Sequence, residues 1–287
     1  MKTTILCALL LVATIAQAQP KPVEVTVDQV SDRRSKGFFS ELNLSLELPK
    51  VKSSEVTASR VVVQAATDDT GVDLRPEETS QDLEPNSRGE MYRQSGQDPP
   101  CSVTVKLKNP ARAASKVTEV RGDIELYMPG RDPNSTALVT KFLPASGKTL
   151  SHAALKANGV EISFLSAAQI DAEKKKLIAA KRKELSDSGW EGESLDSYVN
   201  DYSQSVLSLD ESDMAVRLKD PNKRVQEIVY LDSAGETKNV AVRDSEGVTL
   251  FTTWGGAPQP DWKLRVSMKT PKNVVKHTFV LKDVKLP

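Results

Sequence analysis

Residues 105–110 read V-K-L-K-N-P, and the same pattern returns as V-R-L-K-D-P at residues 216–221 and as V-S-M-K-T-P at residues 266–271. In each segment two apolar residues bracket a polar one, and Lys, a polar residue and Pro follow. Such alternation is typical of a strand with one face in water. Proline ends the strand because it has no N–H to donate to a central ladder. The segments therefore predict three similar strand ends, with their lysines facing solvent.

Strand alternation continues on both sides of these segments. The clearest case lies at residues 41–48, where every second residue is leucine: Leu42, Leu44, Leu46 and Leu48. The turn pattern D-x-x-G separates several runs, at residues 68–71, 232–235 and 244–247, and suits hairpin connections. Many short alternating runs with turns between them predict a mainly β protein with two immunoglobulin-like β-sandwich units.

The middle of the chain changes to helical periodicity. Ser166 and Gln169 have the spacing of a capping box, and apolar residues at helical spacing follow up to Gly189. A second helical run starts at Ser194. The first run is rich in Lys and Arg, whereas residues 184–213 contain many acidic residues and no Lys or Arg. We expect an α-helical hairpin with mutually attractive charges; the alternative is a basic face that docks on an anionic surface.

These patterns divide the chain into four parts. They are a signal peptide at residues 1–18, an N-terminal β-sandwich domain at 19–165, a helical hairpin at 166–212 and a C-terminal β domain at 213–287. The signal peptide is indicated by Lys2, an apolar run and the small-x-small sequence A-Q-A at its end. Within the first domain, residues 72–100 are polar and acidic, which predicts a long mobile surface loop.

Composition restricts the compartment and the partners. The chain carries 39 basic and 39 acidic residues, a balance that argues against general nucleic-acid binding. Beyond the leader, no stretch is long and apolar enough to span a bilayer, so we expect an exported protein, periplasmic or secreted. Cys101 is the one cysteine left once Cys7 departs with the leader. We expect it to be a small buried side chain; the alternative is a reactive or intermolecularly bridged thiol.

The sequence contains no recognisable catalytic or cofactor motif. His152 and His277 are the only histidines, and neither has a companion at metal-ligand spacing. The G-K-T sequence at residues 147–149 lacks the earlier glycine that a phosphate loop requires. We therefore expect no cofactor and favour a non-catalytic protein, with a hydrolase of unrecognised site as a remaining possibility.

The sequence suggests one candidate metal-binding site, formed by three aspartates. Asp68, Asp69 and Asp73 lie close together around Gly71, and carboxylate oxygens are ligands that Ca²⁺ prefers. Their spacing is not that of an EF-hand loop. Turn formation by Asp and Gly is the competing interpretation.

Two tryptophans form the candidate ligand-binding site. Trp254 and Trp262 flank a loop rich in Gly and Pro, and indole faces stack well on sugar rings and other flat apolar ligands. The competing interpretation is a hairpin whose base is a cross-strand pair of the two indoles.

Three segments carry a family resemblance. Residues 66–74, A-T-D-D-T-G-V-D-L, together with the unit at 105–122 and the terminal residues 279–287, F-V-L-K-D-V-K-L-P, resemble a pattern in exported bacterial proteins with paired β-sandwich domains and no known activity. The resemblance implies a fold and a compartment, and it brings no site residues. We expect an exported non-catalytic binding protein or an envelope-associated structural protein, with a protein or glycan partner. The alternative is a carbohydrate-binding module that uses Trp254 and Trp262.

Overall fold

The computed structural model describes residues 24–35, 40–77, 82–86, 98–143, 147–254 and 256–287. The fold is mainly β and is built from antiparallel sheets. Within these ranges no helix combines the length and apolar character needed to cross a membrane. The predicted signal peptide at residues 1–18 lies outside the described residues, as does much of the predicted loop at 72–100.

The described residues form fourteen strands and three α-helices, together with three short 3-10 helices at Ser53–Glu55, Pro129–Arg131 and Pro133–Ser135. In chain order they are β1 (Thr26–Arg33), β2 (Glu41–Lys52), β3 (Ala58–Asp68), β4 (Glu84–Pro85), β5 (Pro100–Leu107), β6 (Lys116–Tyr127), β7 (Thr136–Thr140), α1 (Ala153–Asn158), β8 (Glu161–Phe164), α2 (Ala167–Asp187), α3 (Gly192–Ser205), β9 (Asp213–Lys219), β10 (Val225–Leu231), β11 (Thr237–Ser245), β12 (Val248–Thr253), β13 (Lys263–Met268) and β14 (Val274–Lys285).

Two sheets with a shared core form the first β unit. One has the order β1-β2-β5 and the other β14-β6-β3-β4. The four alternating leucines of β2 are fully buried, and they pack in one cluster with β5, β6 and β14 residues such as Val105, Ile124 and Phe279. The alternation therefore places one face of each sheet in a common core, as the period of two predicts.

The last strand belongs to the first unit. β14 pairs with β6 from Val274 opposite Tyr127 to Lys285 opposite Lys116. The predicted C-terminal domain at 213–287 groups β14 with β9 to β13. In the structure these five strands belong to another sheet, so the sheets do not follow the predicted domain boundary. Likewise, β7 and β8, predicted within 19–165, pair with β13 and β9. The chain between β6 and β14 thus forms a second β unit inserted between two neighbouring strands of the first.

The second unit is one seven-stranded sheet, in the order β7-β13-β10-β11-β12-β9-β8. Residues 237–239 of β11 pair with β10, whereas residues 240–245 pair with β12. Strands on both sides of β11 contribute to the same buried cluster. In this cluster the rings of Phe142 and Tyr230 are stacked, with centroids 5.0 Å apart. The rings of Phe164 and Phe251 meet edge to face, with centroids 6.2 Å apart. β11 therefore joins two sheet halves that share one aromatic core.

The polar stretch at 72–100 contributes to the first unit where it is described. Leu74 is fully buried. Its N–H donates to the carbonyl of Ala66 at 2.9 Å, and its carbonyl accepts from Lys108 N–H at 2.8 Å. The short strand β4 pairs with β3. This stretch was expected to be surface loop throughout, but its described parts include core and sheet residues.

The helices pack on the second unit and on each other. α2 begins with the predicted capping box: Ser166 N–H donates to Gln169 Oε1 at 2.9 Å, and Gln169 N–H donates to Ser166 Oγ at 3.4 Å. Leu185 of α2 is buried against Leu195 and Val199 of α3. The short helix α1, which the sequence patterns did not predict, ends at Gly159 with φ 67°.

The basic residues of α2 pair with acidic residues nearby. Arg182 of α2 bridges to Asp196 of α3 at 2.7 Å. Within α2, Lys181 contacts Glu184 at 3.0 Å and Lys183 contacts Asp187 at 2.5 Å. One of these contacts joins the two helices, and the other two lie within α2. Ion pairs at the surface contribute little to stability by themselves.

The three K-x-P segments end strands β5, β9 and β13, as predicted. After each one the chain crosses to a strand in another sheet or sheet half: from β5 to β6, from β9 to β10 and from β13 to β14. β5 is an edge strand, whereas β9 and β13 lie inside their sheet. The three strand ends therefore occupy different positions in their sheets.

Candidate binding site

Trp254 is the most exposed of the large hydrophobic residues that the structure describes, with 78% of its surface accessible. It directly follows β12 and lines a depression of about 430 Å³. The other lining residues are Asp210, Glu211, Ser212, Thr252, Thr253 and Gly256. An exposed indole in a depression is a feature of binding surfaces. The side chain gains no packing energy from its own fold there, and its apolar area is available to a ligand.

Pairing between β12 and β9 assembles this depression. The strands are antiparallel, with Thr252 opposite Asp213, so the end of β12 lies beside the segment that leads into β9. Thr253 donates to the carbonyl of Ser212 through both its N–H and its Oγ1, each at 3.1 Å. The site therefore rests on a strand pair rather than on a free loop.

A buried carboxylate supports the floor of the depression. The Asp213 side chain is 1% exposed and accepts from Thr252 Oγ1 at 2.5 Å and from Arg243 at 2.9 Å. It also accepts from Asp210 N–H at 3.2 Å. Because the charge of Asp213 is matched by Arg243, burial of this carboxylate is tolerated. These bonds hold Asp210 next to the end of β12.

The depression offers two kinds of recognition. The indole face of Trp254 can stack on a flat apolar surface. Asp210 and Glu211 are exposed, and in the described part of the chain neither forms an ion pair. Their oxygens can accept hydrogen bonds from hydroxyl groups. The arrangement suits a ligand with an apolar face and a rim of hydroxyls.

Trp262 has a different environment from Trp254. It is half-buried, packs against the core of the second unit and lies 6.1 Å from the ring of Tyr230. β12 pairs with β11 and β9, whereas β13 pairs with β10 and β7. The loop between the tryptophans is therefore a crossover and not a hairpin. The aromatic contacts of the described rings do not join the two indoles, so the alternative of a cross-strand Trp–Trp pair is wrong.

The three candidate metal-binding aspartates are engaged in hydrogen bonds. Asp68 is buried and accepts from Thr70 N–H, Thr70 Oγ1, Val72 N–H and Ala111 N–H, at 2.7–2.9 Å. Burial alone would raise the pKa of Asp68, but these bonds hold it below the ordinary value.

The other two aspartates have separate partners. Asp69 accepts from Ser115 Oγ at 2.6 Å, and Asp73 pairs with Arg75 at 2.6 Å. The hydrogen bonds from Arg75 lower the pKa of Asp73 to about 2. Among the described residues, no group of three or more His, Cys, Asp or Glu side chains is placed to hold a metal ion. Turn and loop hydrogen bonding accounts for these carboxylates.

Cys101, His152 and His277 have environments that indicate structural roles. Cys101 is fully buried in the first core, as expected, and burial raises the pKa of its thiol to about 11. His152 caps α1, because its Nδ1 accepts from Ala154 N–H at 3.2 Å. His277 lies on β14; burial first, and then the charge of Arg131, lowers its pKa.

Sequence patterns identified Trp254 but not its acidic neighbours. Asp210 and Glu211 follow α3 in a stretch with many acidic residues, and nothing local distinguishes them. Their proximity to Trp254 depends on the pairing of β9 with β12, which periodicity does not reveal. The chain matches no family model, no curated protein and no solved structure.

Proposed function

We propose that this chain is an exported, non-catalytic binding or envelope-associated structural protein, and that it binds its partner through the depression around Trp254. The proposal rests mainly on the exposure of that indole in a concave, strand-supported place. The signal-peptide pattern at residues 1–18 supports export. The resemblance to exported bacterial proteins, with two immunoglobulin-like units and a helical hairpin, belongs to the same proposal.

A glycan is the ligand class that the depression favours. Trp254 offers a stacking face, and Asp210, Glu211 and Ser212 offer hydrogen-bonding oxygens around it. Sugar rings present an apolar face and several hydroxyls, which match both features. Such a module would use Trp254 without Trp262, because Trp262 packs on Tyr230.

The test is a titration of the full chain with a broad panel of oligosaccharides, followed by tryptophan fluorescence. We expect at least one oligosaccharide to give saturable quenching. Calorimetry, which does not depend on the Trp254 fluorophore, should show that Trp254→Ala weakens that binding by ~10-fold or more. Val242→Ala is the matched control, since Val242 is also an exposed apolar residue of the second unit. Absence of a response across the panel would remove the glycan assignment; a ligand that both variants bind equally well would remove Trp254 from the site.

A further inference from the structure

A second cleft lies beside the point where the chain leaves the first unit. It has a volume of about 620 Å³, within the range of small-molecule sites. Ser54, Glu55 and Thr57 line it from the segment between β2 and β3. Met128, Pro129, Gly130 and Arg131 line it from the connection that leaves β6 for the second unit.

The cleft carries one charge of each sign. Glu55 and Arg131 are both exposed, and neither has an ion-pair partner among the residues that the structure describes. The two side chains therefore do not neutralise each other across the cleft. An unpaired carboxylate and an unpaired guanidinium are complementary to an ammonium group and a carboxylate, respectively.

The remaining lining adds an apolar surface and hydrogen-bond acceptors. The half-buried Pro129 supplies apolar surface, whereas Met128 beneath it is buried in the first core. The hydroxyl of Ser54 donates to Asp98 at 2.8 Å, and that of Thr57 donates to the carbonyl of Tyr127 at 3.4 Å. Because their protons are used within the protein, these hydroxyls face a ligand as acceptors. Together with the Glu55 carboxylate, these acceptor oxygens favour a cation that donates several hydrogen bonds, such as an ammonium group.

The connections on both sides of the cleft are held by buried hydrogen bonds. Met128 N–H donates to the carbonyl of Asn273 at 2.7 Å, which ties the outgoing connection to the returning one. Asn273 is fully buried and donates through Nδ2 to the carbonyl of Met268 at 2.8 Å. On the other side of the cleft, Thr57 N–H donates to the carbonyl of Tyr127 at 3.0 Å. The backbone that carries the lining residues is therefore held by hydrogen bonds, which lowers the entropy cost of ordering it on binding.

We propose that this cleft binds a zwitterionic short peptide or amino acid, with the ligand carboxylate on Arg131, the ammonium on Glu55 and an apolar side chain against Pro129. The site lies apart from the Trp254 depression and does not depend on the function assigned to it.

Calorimetric titration of the full chain with leucine, alanyl-leucine and alanyl-alanyl-leucine tests this proposal. We expect saturable binding of at least one of them at millimolar concentration or below. The end-blocked forms, with an acetylated amine or an amidated carboxylate, should each bind ~10-fold more weakly or not at all. Arg131→Gln and Glu55→Gln should have the same effect. Arg112→Gln, which removes an exposed cation elsewhere in the first unit, is the matched control.

His277 provides an independent readout by NMR. The charge of Arg131 helps to lower the pKa of His277, so a ligand carboxylate on Arg131 should raise that pKa. Arg131→Gln should raise it without ligand, and circular dichroism, which does not depend on this pKa, checks that the variant is folded. The signal of His152 is the internal reference. Failure of all three probes to bind, or binding that survives Arg131→Gln and leaves the pKa of His277 unchanged, would overturn the proposal.

Discussion

Gly122 lies in the middle of β6, between β3 and β14, where no larger residue fits. A Cβ atom at this position would lie 2.4 Å from the carbonyl oxygen of Val62 and 3.1 Å from Cε1 of Phe279. The first contact is with backbone, which cannot move without disturbing the β3–β6 ladder. An isolated glycine within a strand pattern is a known signal of such close approach.

We expect Gly122→Ala to lower the free energy of unfolding by about 2 kcal/mol, the usual cost of forced overpacking. Urea denaturation of both proteins measures this difference. Gly130→Ala is the control, since a Cβ there meets nothing within 4 Å. Equal stability of the Gly122 variant and the parent chain would show that the strands separate easily at this point.

Asp68 is the residue whose charge should matter most for acid stability. In Asp68→Asn one of the two carboxylate oxygens becomes an N–H₂ group, which accepts no hydrogen bond. The side chain then cannot accept from the N–H of Ala111 and from the N–H groups of Thr70 and Val72 at once. We expect Asp68→Asn to cost about 2–3 kcal/mol at neutral pH. Asp261→Asn, at an exposed aspartate without a hydrogen-bond partner among the described residues, should cost nothing measurable.

The pH dependence of that cost follows from the lowered pKa of Asp68. A carboxylate whose pKa is lower in the folded state stabilises the fold above its ordinary value of 3.8, and this contribution is lost as the pH falls through the folded-state pKa. The stability gap between the parent chain and Asp68→Asn should therefore narrow below pH 3.8. A gap that stays constant down to acid unfolding would contradict the assignment.

At the scale of elements, the helix α2 begins where its sequence predicts. The Ser166–Gln169 capping box is local, so a four-residue pattern was enough to identify it. We expect Ser166→Ala to lower the stability by about 1 kcal/mol and to speed hydrogen exchange in the first turn of α2. Ser186→Ala, at an exposed position near the other end of the helix, is the control. Alanine has a higher helix propensity than serine, so Ser186→Ala should not destabilise the protein. An equal loss in both variants would contradict the capping role of Ser166.

The alternation of apolar and polar residues predicted that a strand is present, but it did not predict which strand it pairs with. β2 and β5 were predicted from alternation, and their buried faces agree. The short helix α1 was missed because its six residues are too few for helical periodicity to stand out. Leu74 was missed for the opposite reason: one buried leucine in a polar stretch carries no period at all.

At the scale of the whole molecule, the two units are joined by two adjacent connections with a buried polar cluster between them. Thr270 Oγ1 donates to Asp132 Oδ2 at 2.7 Å, and both residues are buried. Tyr127 of the first unit donates through its hydroxyl to the carbonyl of Met268 in the second, at 3.3 Å. These bonds fix the point where the chain leaves and re-enters the first unit.

We expect Thr270→Val, which keeps the shape of the side chain and removes its hydroxyl, to destabilise the protein by about 2 kcal/mol because Asp132 loses a buried donor. Calorimetry should also show broader unfolding if the two units separate more readily. Thr237→Val, at an exposed threonine of β11, is the control. An unchanged transition in the Thr270 variant would show that the junction does not depend on this bond.

The sequence by itself determined the buried faces of alternating strands such as β2 and β5, where α2 starts and where the D-x-x-G turns lie, because each of these depends on neighbours only a few residues away. The segment at 105–110 is of this kind: its buried Val105 and Leu107 and exposed lysines follow from a period of two. Tertiary structure alone decided that β14 completes the first unit, that Trp254 lies beside Asp210 and Glu211, and that Glu55 and Arg131 line one cleft. Alternation states which face of a strand is buried, but the partner strand is chosen by packing among residues far apart in the chain, and no local pattern records that choice.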